Sequence, residues 1–271
     1  KKAPSLQDAG MITDAIWTDY DGDNHTDLVV VGEWTGIRFY KNKNGRLEPS
    51  PDILPQSQGW WNCIEASDMD GDGDMDFVVG NLGLNSKYKA SQDAPFEVYS
   101  TDFDDNGTND IVLGYYDRGN LFPLRGRECS SQQMPFIKEK FPTYDSFGSA
   151  KLDQVYDEEK LKEALHLKVS SFASVYLENL GNGQFNIHNL PNEVQVSAIN
   201  DIYIQDFDSD GINDIAVAGN LYQTEVETPR NDASIGMLLK GNGKSLFTTM
   251  PHTKSGLFID GDVKKIRAIR S

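Results

Sequence analysis

A nine-residue acidic loop, written four times, constrains this chain more than any other feature. Asp19, Asp21, Asp23 and Asp27 stand at positions 1, 3, 5 and 9 of the first copy, and the apolar run Leu28-Val29-Val30-Val31-Gly32 follows at once. The pattern returns as Asp68, Asp70, Asp72 and Asp76 before Phe77-Val78-Val79-Gly80, and as Asp206, Asp208, Asp210 and Asp214 before Ile215-Ala216-Val217-Ala218-Gly219. Another copy carries Asp102, Asp104, Asn106 and Asp110 ahead of Ile111-Val112-Leu113-Gly114. Side-chain oxygens on alternate residues of a tight turn suit a hard cation, and the carbonyl of position 7 (His25, Asp74, Thr108 or Ile212) offers a fifth donor. Calcium takes roughly six to eight oxygens in irregular geometry, whereas magnesium demands a near-ideal octahedron. Three to four calcium ions are therefore the expected cofactor.

An EF-hand would need a bidentate Glu at position 12 and flanking helices. Position 12 here is Val30, Val79, Leu113 or Val217, inside β-branched runs that read as buried strands. Position 6 is Asn24, Gly73, Gly107 or Gly211, residues that tolerate the positive φ of a sharp turn. Asp and Gly also favour ordinary turns between strands. Carboxylates clustered without a cation, however, repel one another by on the order of a kcal/mol per close pair.

Strand-like stretches precede each loop: 12–17, 61–66, 96–100 and 199–204. Aligned on the first Asp, the position five residues earlier is Asp14, Cys63, Glu97 or Asp201, and the next is Ala15, Ile64, Val98 or Ile202. That alternation predicts a strand buried on one side. Asn44-Gly45, Asn182-Gly183 and Asn242-Gly243, each between apolar alternations, predict outer hairpins. Strand, loop, strand and hairpin make a four-stranded antiparallel sheet, and repeated sheets of this kind predict an all-β propeller. First-Asp spacings are 49, 34 and 104 residues. Because a blade needs ~40 to 50 residues, the Asp102 loop is expected in the outer hairpin of the blade begun at Trp61, which leaves three or four blades. The tail 261–269 reads as the first strand of a further blade, so the chain is expected to be an incomplete part of a larger propeller.

The long interval holds a partly helical insert, residues 117–170, within a propeller spanning 1–271. Its helix candidates are 132–141 and 157–167. Arg118, Arg125 and Arg127 form a basic cluster there, suited to an anion or sugar acid or else to surface ion pairs. The net charge of −17 argues against nucleic acid, and four bound calcium ions would remove roughly half of it. No apolar run approaches the ~18 residues of a membrane span. Cys63 and Cys129 are expected as free thiols.

The Asp-x-Asp-Gly-Asp-Gly-x-x-Asp loops with their apolar strands resemble the FG-GAP/VCBS repeat, the calcium-bearing propeller blade also seen in integrin α chains. Gly80-Asn81-Leu82-Gly83-Leu84-Asn85, the stretch Val175-Tyr176-Leu177-Glu178-Asn179 and Asn231-Asp232-Ala233-Ser234 resemble bacterial VCBS-repeat proteins that neighbour an ASPIC/UnbV domain. That resemblance implies an exported, often surface-anchored protein, extracellular or outer-membrane-associated. The expected function is a non-catalytic module that binds a protein partner or a glycan, with Trp60 and Trp61 as stacking candidates, or as core residues at a strand start. Alternatives are a propeller-fold polysaccharide lyase or hydrolase and an accessory subunit of an outer-membrane complex. His25, His166, His188 and His252 sit in separate contexts, read as loop, helix, outer strand and turn, and no nucleophile motif accompanies them.

Overall fold

The computed structural model describes residues 3–225 and 227–269. Two compact units make up the chain: one combines the residues up to Lys87 with those from Phe172 onward, and the other is Tyr88–Ser171.

In chain order, strands β1 (Met11–Thr18), β2 (Asp27–Thr35), β3 (Arg38–Lys43) and β4 (Arg46–Pro49) form an antiparallel meander, with β5 (Gly59–Trp60) added beside β2. The pair β6 (Cys63–Ser67) and β7 (Asp76–Gly80) opens a second sheet. The second unit then intervenes. It contains β8 (Phe96–Thr101), β9 (Asp110–Asp117) and β10 (Asn120–Pro123), followed by short helices α1 (Arg127–Gln133), α2 (Phe136–Lys140), α3 (Tyr144–Gly148), α4 (Leu152–Val155) and α5 (Glu158–Glu163), and β11 (Leu165–Val169). The interrupted sheet resumes with β12 (Val175–Asn179) and β13 (Phe185–Asn189). A third meander, β14 (Ile199–Gln205), β15 (Asp214–Gly219), β16 (Met237–Gly241) and β17 (Phe247–Met250), precedes α6 (His252–Ser255).

The first unit thus has three four-stranded meanders with propeller-blade topology. Its middle blade shows why the loop-following strands are continuously apolar. Phe77 and Val79 pack with Val29, Val31 and Phe39 of the first blade, while Val78 between them packs with Ile202, Ile215 and Val217 of the last. A strand buried on both faces has no polar side to alternate with. Glycine stands within β2 and at the end of β15 because nothing larger fits: a Cβ on Gly32 would lie 2.1 Å from the Met11 carbonyl oxygen, and one on Gly219 1.9 Å from that of Ala198.

First strands of successive blades are stitched by one rule. The residue six before each loop donates to a carbonyl of the next blade's first segment: Thr13 Oγ1 to Trp61 O at 2.7 Å, Asn62 Nδ2 to Ile199 O at 3.1 Å, and Asn200 Nδ2 to Val263 O at 2.7 Å. Asp14 accepts from Ile64 N at 3.1 Å, and Asp201 accepts from Ile266 N. The tail therefore takes, by hydrogen bonding, the place of a following first strand, although it is not itself a regular strand.

The second unit departs from the expected arrangement. Its sheet runs β10-β9-β8-β11, with third and fourth strands on opposite sides of the central pair. The Asp102 loop joins β8 to β9 and so is not in the outer hairpin of the blade begun at Trp61; that blade's third and fourth strands arrive only after the insert, as β12 and β13. The compact unit begins at Tyr88, well before residue 117. Helix 132–141 is broken at Met134-Pro135, where proline cannot continue the preceding hydrogen-bond ladder. The 157–167 helix stops at Glu163, and Leu165–Val169 is a strand paired with β8, which places His166 in a sheet. Neither cysteine is in a disulfide, and Cys63 is buried. No described helix is long and apolar enough to cross a membrane.

Candidate metal centres

Each loop folds around its own acidic side chains. The first Asp holds the turn: Asp19 accepts from Gly22 N, Asp23 N and Asn24 N, Asp68 from Gly71 N and Gly73 N, Asp102 from Asn106 N and Gly107 N, and Asp206 from Asp210 N and Gly211 N. Position 5 accepts from the amide of position 7 in all four copies, at 2.9 Å to Asp23, 2.8 Å to Asp72, 2.8 Å to Asn106 and 2.9 Å to Asp210. Asn106 serves as well as an Asp because its carbonyl oxygen is the acceptor. Positive φ occurs at position 6, as expected, and also at position 4: Gly22, Gly71, Asp105 and Ser209. Asp105 and Ser209 hid this second turn from the sequence.

The ninth Asp opens the following strand and is buried in every copy: Asp27 and Asp76 are fully buried, Asp110 is 2% exposed and Asp214 1%. One of its oxygens reaches across the sheet. Asn42 N donates to Asp27, Asn179 N to Asp76 and Gly241 N to Asp214, each from the third strand of the same blade. In the second unit Asp110 takes the side-chain amide of Gln133 instead. The other oxygen accepts from position 2 in three copies, from Met69 N, Phe103 N and Phe207 N. In the first copy Asp27 Oδ2 is buried with no hydrogen-bond partner among the described residues, as is Asp21 Oδ1. A buried orphan carboxylate oxygen facing other carboxylates fits a cation better than a plain turn.

Carboxylate oxygens converge within 4.8 Å of one another in four groups: Asp19, Asp21, Asp23 and Asp27; Asp68, Asp70 and Asp76; Asp102, Asp104 and Asp110; and Asp206, Asp208 and Asp210. Asp72 and Asp214 fall outside these groups. Burial pushes the Asp76 carboxyl up to about 6 against the hydrogen bonds from Asn179 N and Met69 N. Asp27 and Asp70 are raised as well, burial first and neighbouring carboxylates adding to it. Asp23 and Asp210 are lowered, chiefly by hydrogen bonds from Lys41 and Lys240. Those lysines were not read from the sequence, although each stands one residue after an apolar run in the third strand.

The remaining candidates separate. Trp61 is 2% exposed, belongs to the core and donates Nε1 to Ser57 O at 2.9 Å. Trp60 is half-buried, edge-on to Trp34 at 5.2 Å and to Phe172 at 5.3 Å. Trp17 on β1 is 61% exposed, which the sequence did not distinguish from core. Arg127 holds Phe141 O and Pro142 O and pairs with Glu128, so it braces the helical segment. Arg125 contacts Gln133 and Arg118 sits at positive φ in the β9–β10 turn. One titratable group, read from the sequence only as a polar strand position, has further partners: buried Glu97 accepts from Tyr99 and Tyr116 and faces His166 Nε2 at 3.1 Å.

Residues 19–79, from the first acidic loop through the second, match the model of the FG-GAP-like repeat. That stretch is an FG-GAP-like repeat. No curated protein matches it. Matched residues include two of the FG-GAP loops and the strands that follow them, which is the part of the sequence that carries the resemblance.

Proposed function

We propose that this FG-GAP repeat chain is a non-catalytic propeller module of an exported or cell-surface protein, braced by calcium and binding a protein partner or a glycan. The observation that carries it is the recurrence of one loop architecture with a carboxylate cluster at four strand junctions. Bound calcium would supply the charge compensation that the clustered carboxylates need. The chain's own part is to place them: the first Asp shapes the turn and the ninth anchors the cluster to the sheet. Trp60, Trp17 and Arg118 are the surface candidates for a ligand, since aromatic faces suit sugar rings and guanidinium suits a sugar carboxylate. The lyase or hydrolase alternative would draw acid and base groups from a set such as Glu97, Tyr99, Tyr116 and His166. An accessory subunit of an outer-membrane complex would use the same rigid surface.

The test is calcium titration of EDTA-stripped protein by calorimetry and thermal melting, with and without an array of neutral and acidic glycans. Three or four sites and a clear rise in melting temperature are expected, because a ligand at about a hundred times its Kd stabilises by ~2.7 kcal/mol. Absence of binding would overturn the calcium reading, and a glycan that shifts the melt further would identify the ligand class.

A further inference from the structure

The residue facing the ninth Asp differs among the blades in a way that bears directly on the loops. Extending the strand register by one pair sets Lys41 opposite Asp27, Glu178 opposite Asp76 and Lys240 opposite Asp214. Lys41 Nζ bonds Asp21 and reaches Asp23 Oδ2 at 3.0 Å; Lys240 Nζ bonds Asp208 and reaches Asp210 Oδ2 at 2.9 Å. In each case the ammonium takes oxygens that belong to the carboxylate cluster. Glu178 cannot do this. It lies behind Ser245, whose hydroxyl is 2.6 Å from Glu178 Oε1 and 3.4 Å from Asp70 Oδ2, and its other oxygen contacts His188 Nε2 at 3.1 Å.

We infer that this third-strand position ranks the loops for divalent cations: Lys41 and Lys240 are resident counter-cations that an incoming ion must displace, while the Asp68 loop, with Glu178 in that place, fills first. The inference rests on the loops holding divalent cations. A second observation supports a site in the lysine-bearing first loop. Asp27 Oδ2 and Asp21 Oδ1 are buried and have no hydrogen-bond partner among the described residues even with Lys41 present, so the ammonium serves only the outer oxygens and leaves the inner ones for an ion. The charge count runs the same way. The first and last loops each set four aspartates against one lysine, whereas the second has five aspartates, Asp74 included, with Glu178 as a sixth carboxylate. A unit charge within a few ångströms changes a divalent ion's affinity by on the order of tenfold or more. In the absence of an ion, the lysines keep the first and last loops compensated and the second carries the repulsion.

The experiment is calcium calorimetry on the full chain, stripped with EDTA, comparing wild type with Lys41→Met, Lys240→Met, Lys41→Arg, Glu178→Lys and Glu178→Gln. Wild type is expected to show a tight class and a weaker class. Each Lys→Met variant should move one weak site tighter by about tenfold or more, Lys41→Arg should keep the wild-type profile, and Glu178→Lys should weaken the tight site. Circular dichroism checks folding; if Glu178→Lys fails to fold, Glu178→Gln should still weaken the tight site by a smaller factor. Titration curves that the substitutions leave unchanged would overturn the ranking while calcium binding stands. No heat from any variant would overturn the cation reading, and the ranking with it.

Discussion

The first unit's blades and the second unit's sheet carry the same acidic loop on different strand orders. In the blades the ninth Asp is tied across the sheet by a backbone amide of the third strand, at Asn42, Asn179 or Gly241. In the second unit β10 is paired to β9 in a different register, and the tie comes from the Gln133 side chain at the end of α1. The loop therefore needs only its two flanking strands and one donor for its last carboxylate. Where a meander supplies the donor, any residue except proline provides it; where it does not, a particular side chain must.

The comparison can be broken most forcefully at Asp76. Asp76→Ala removes the acceptor of both Met69 N and Asn179 N inside the sheet, and hydrogen bonds to a charged group contribute about 1.5 to 3 kcal/mol each. A loss of roughly 3 kcal/mol or more in urea denaturation is expected; a loss below about 1 kcal/mol would mean that the staple is incidental. Gln133→Ala probes the side-chain version. It should destabilise the second unit by about 1 to 2 kcal/mol through the buried Asp110 oxygen it deserts, and leave the first unit's amide exchange unchanged. Exchange that speeds up throughout the chain would show the two ties to be energetically linked. The smallest effect belongs to Ser209→Gly. Ser209 holds φ 62°, which glycine adopts without strain, so a gain of up to about 1 kcal/mol in stability is expected. A loss would show that the serine side chain contributes to its turn.

Much of this was legible before any coordinates. The first strands and the carboxylate positions follow from alternation and from Asp at every second residue, because both patterns repeat within a short window. Strand order in the second unit was not legible: β8 and β9 read like any blade pair, and Leu165-His166-Leu167 follows a Glu- and Lys-rich helix closely enough to be taken as its last turn. Asp72 and Asp214 match their counterparts in sequence, and only the distances set them apart from the converging groups. Backbone donors such as Asn179 N leave no mark on side-chain identity at all. Trp61 illustrates the remaining ambiguity, since a core indole and a stacking indole are the same residue until its exposure is known.

The stitch between first strands has a direction. Thr13, Asn62 and Asn200 give their hydrogen bonds forward, and the carbonyls of Trp61, Ile199 and Val263 receive from behind. A blade copied in tandem would arrive with a donor for its successor and an acceptor for its predecessor already in place. Gene duplication can thus lengthen such an array without leaving a seam unmatched, whereas a blade inserted in reverse would match neither neighbour.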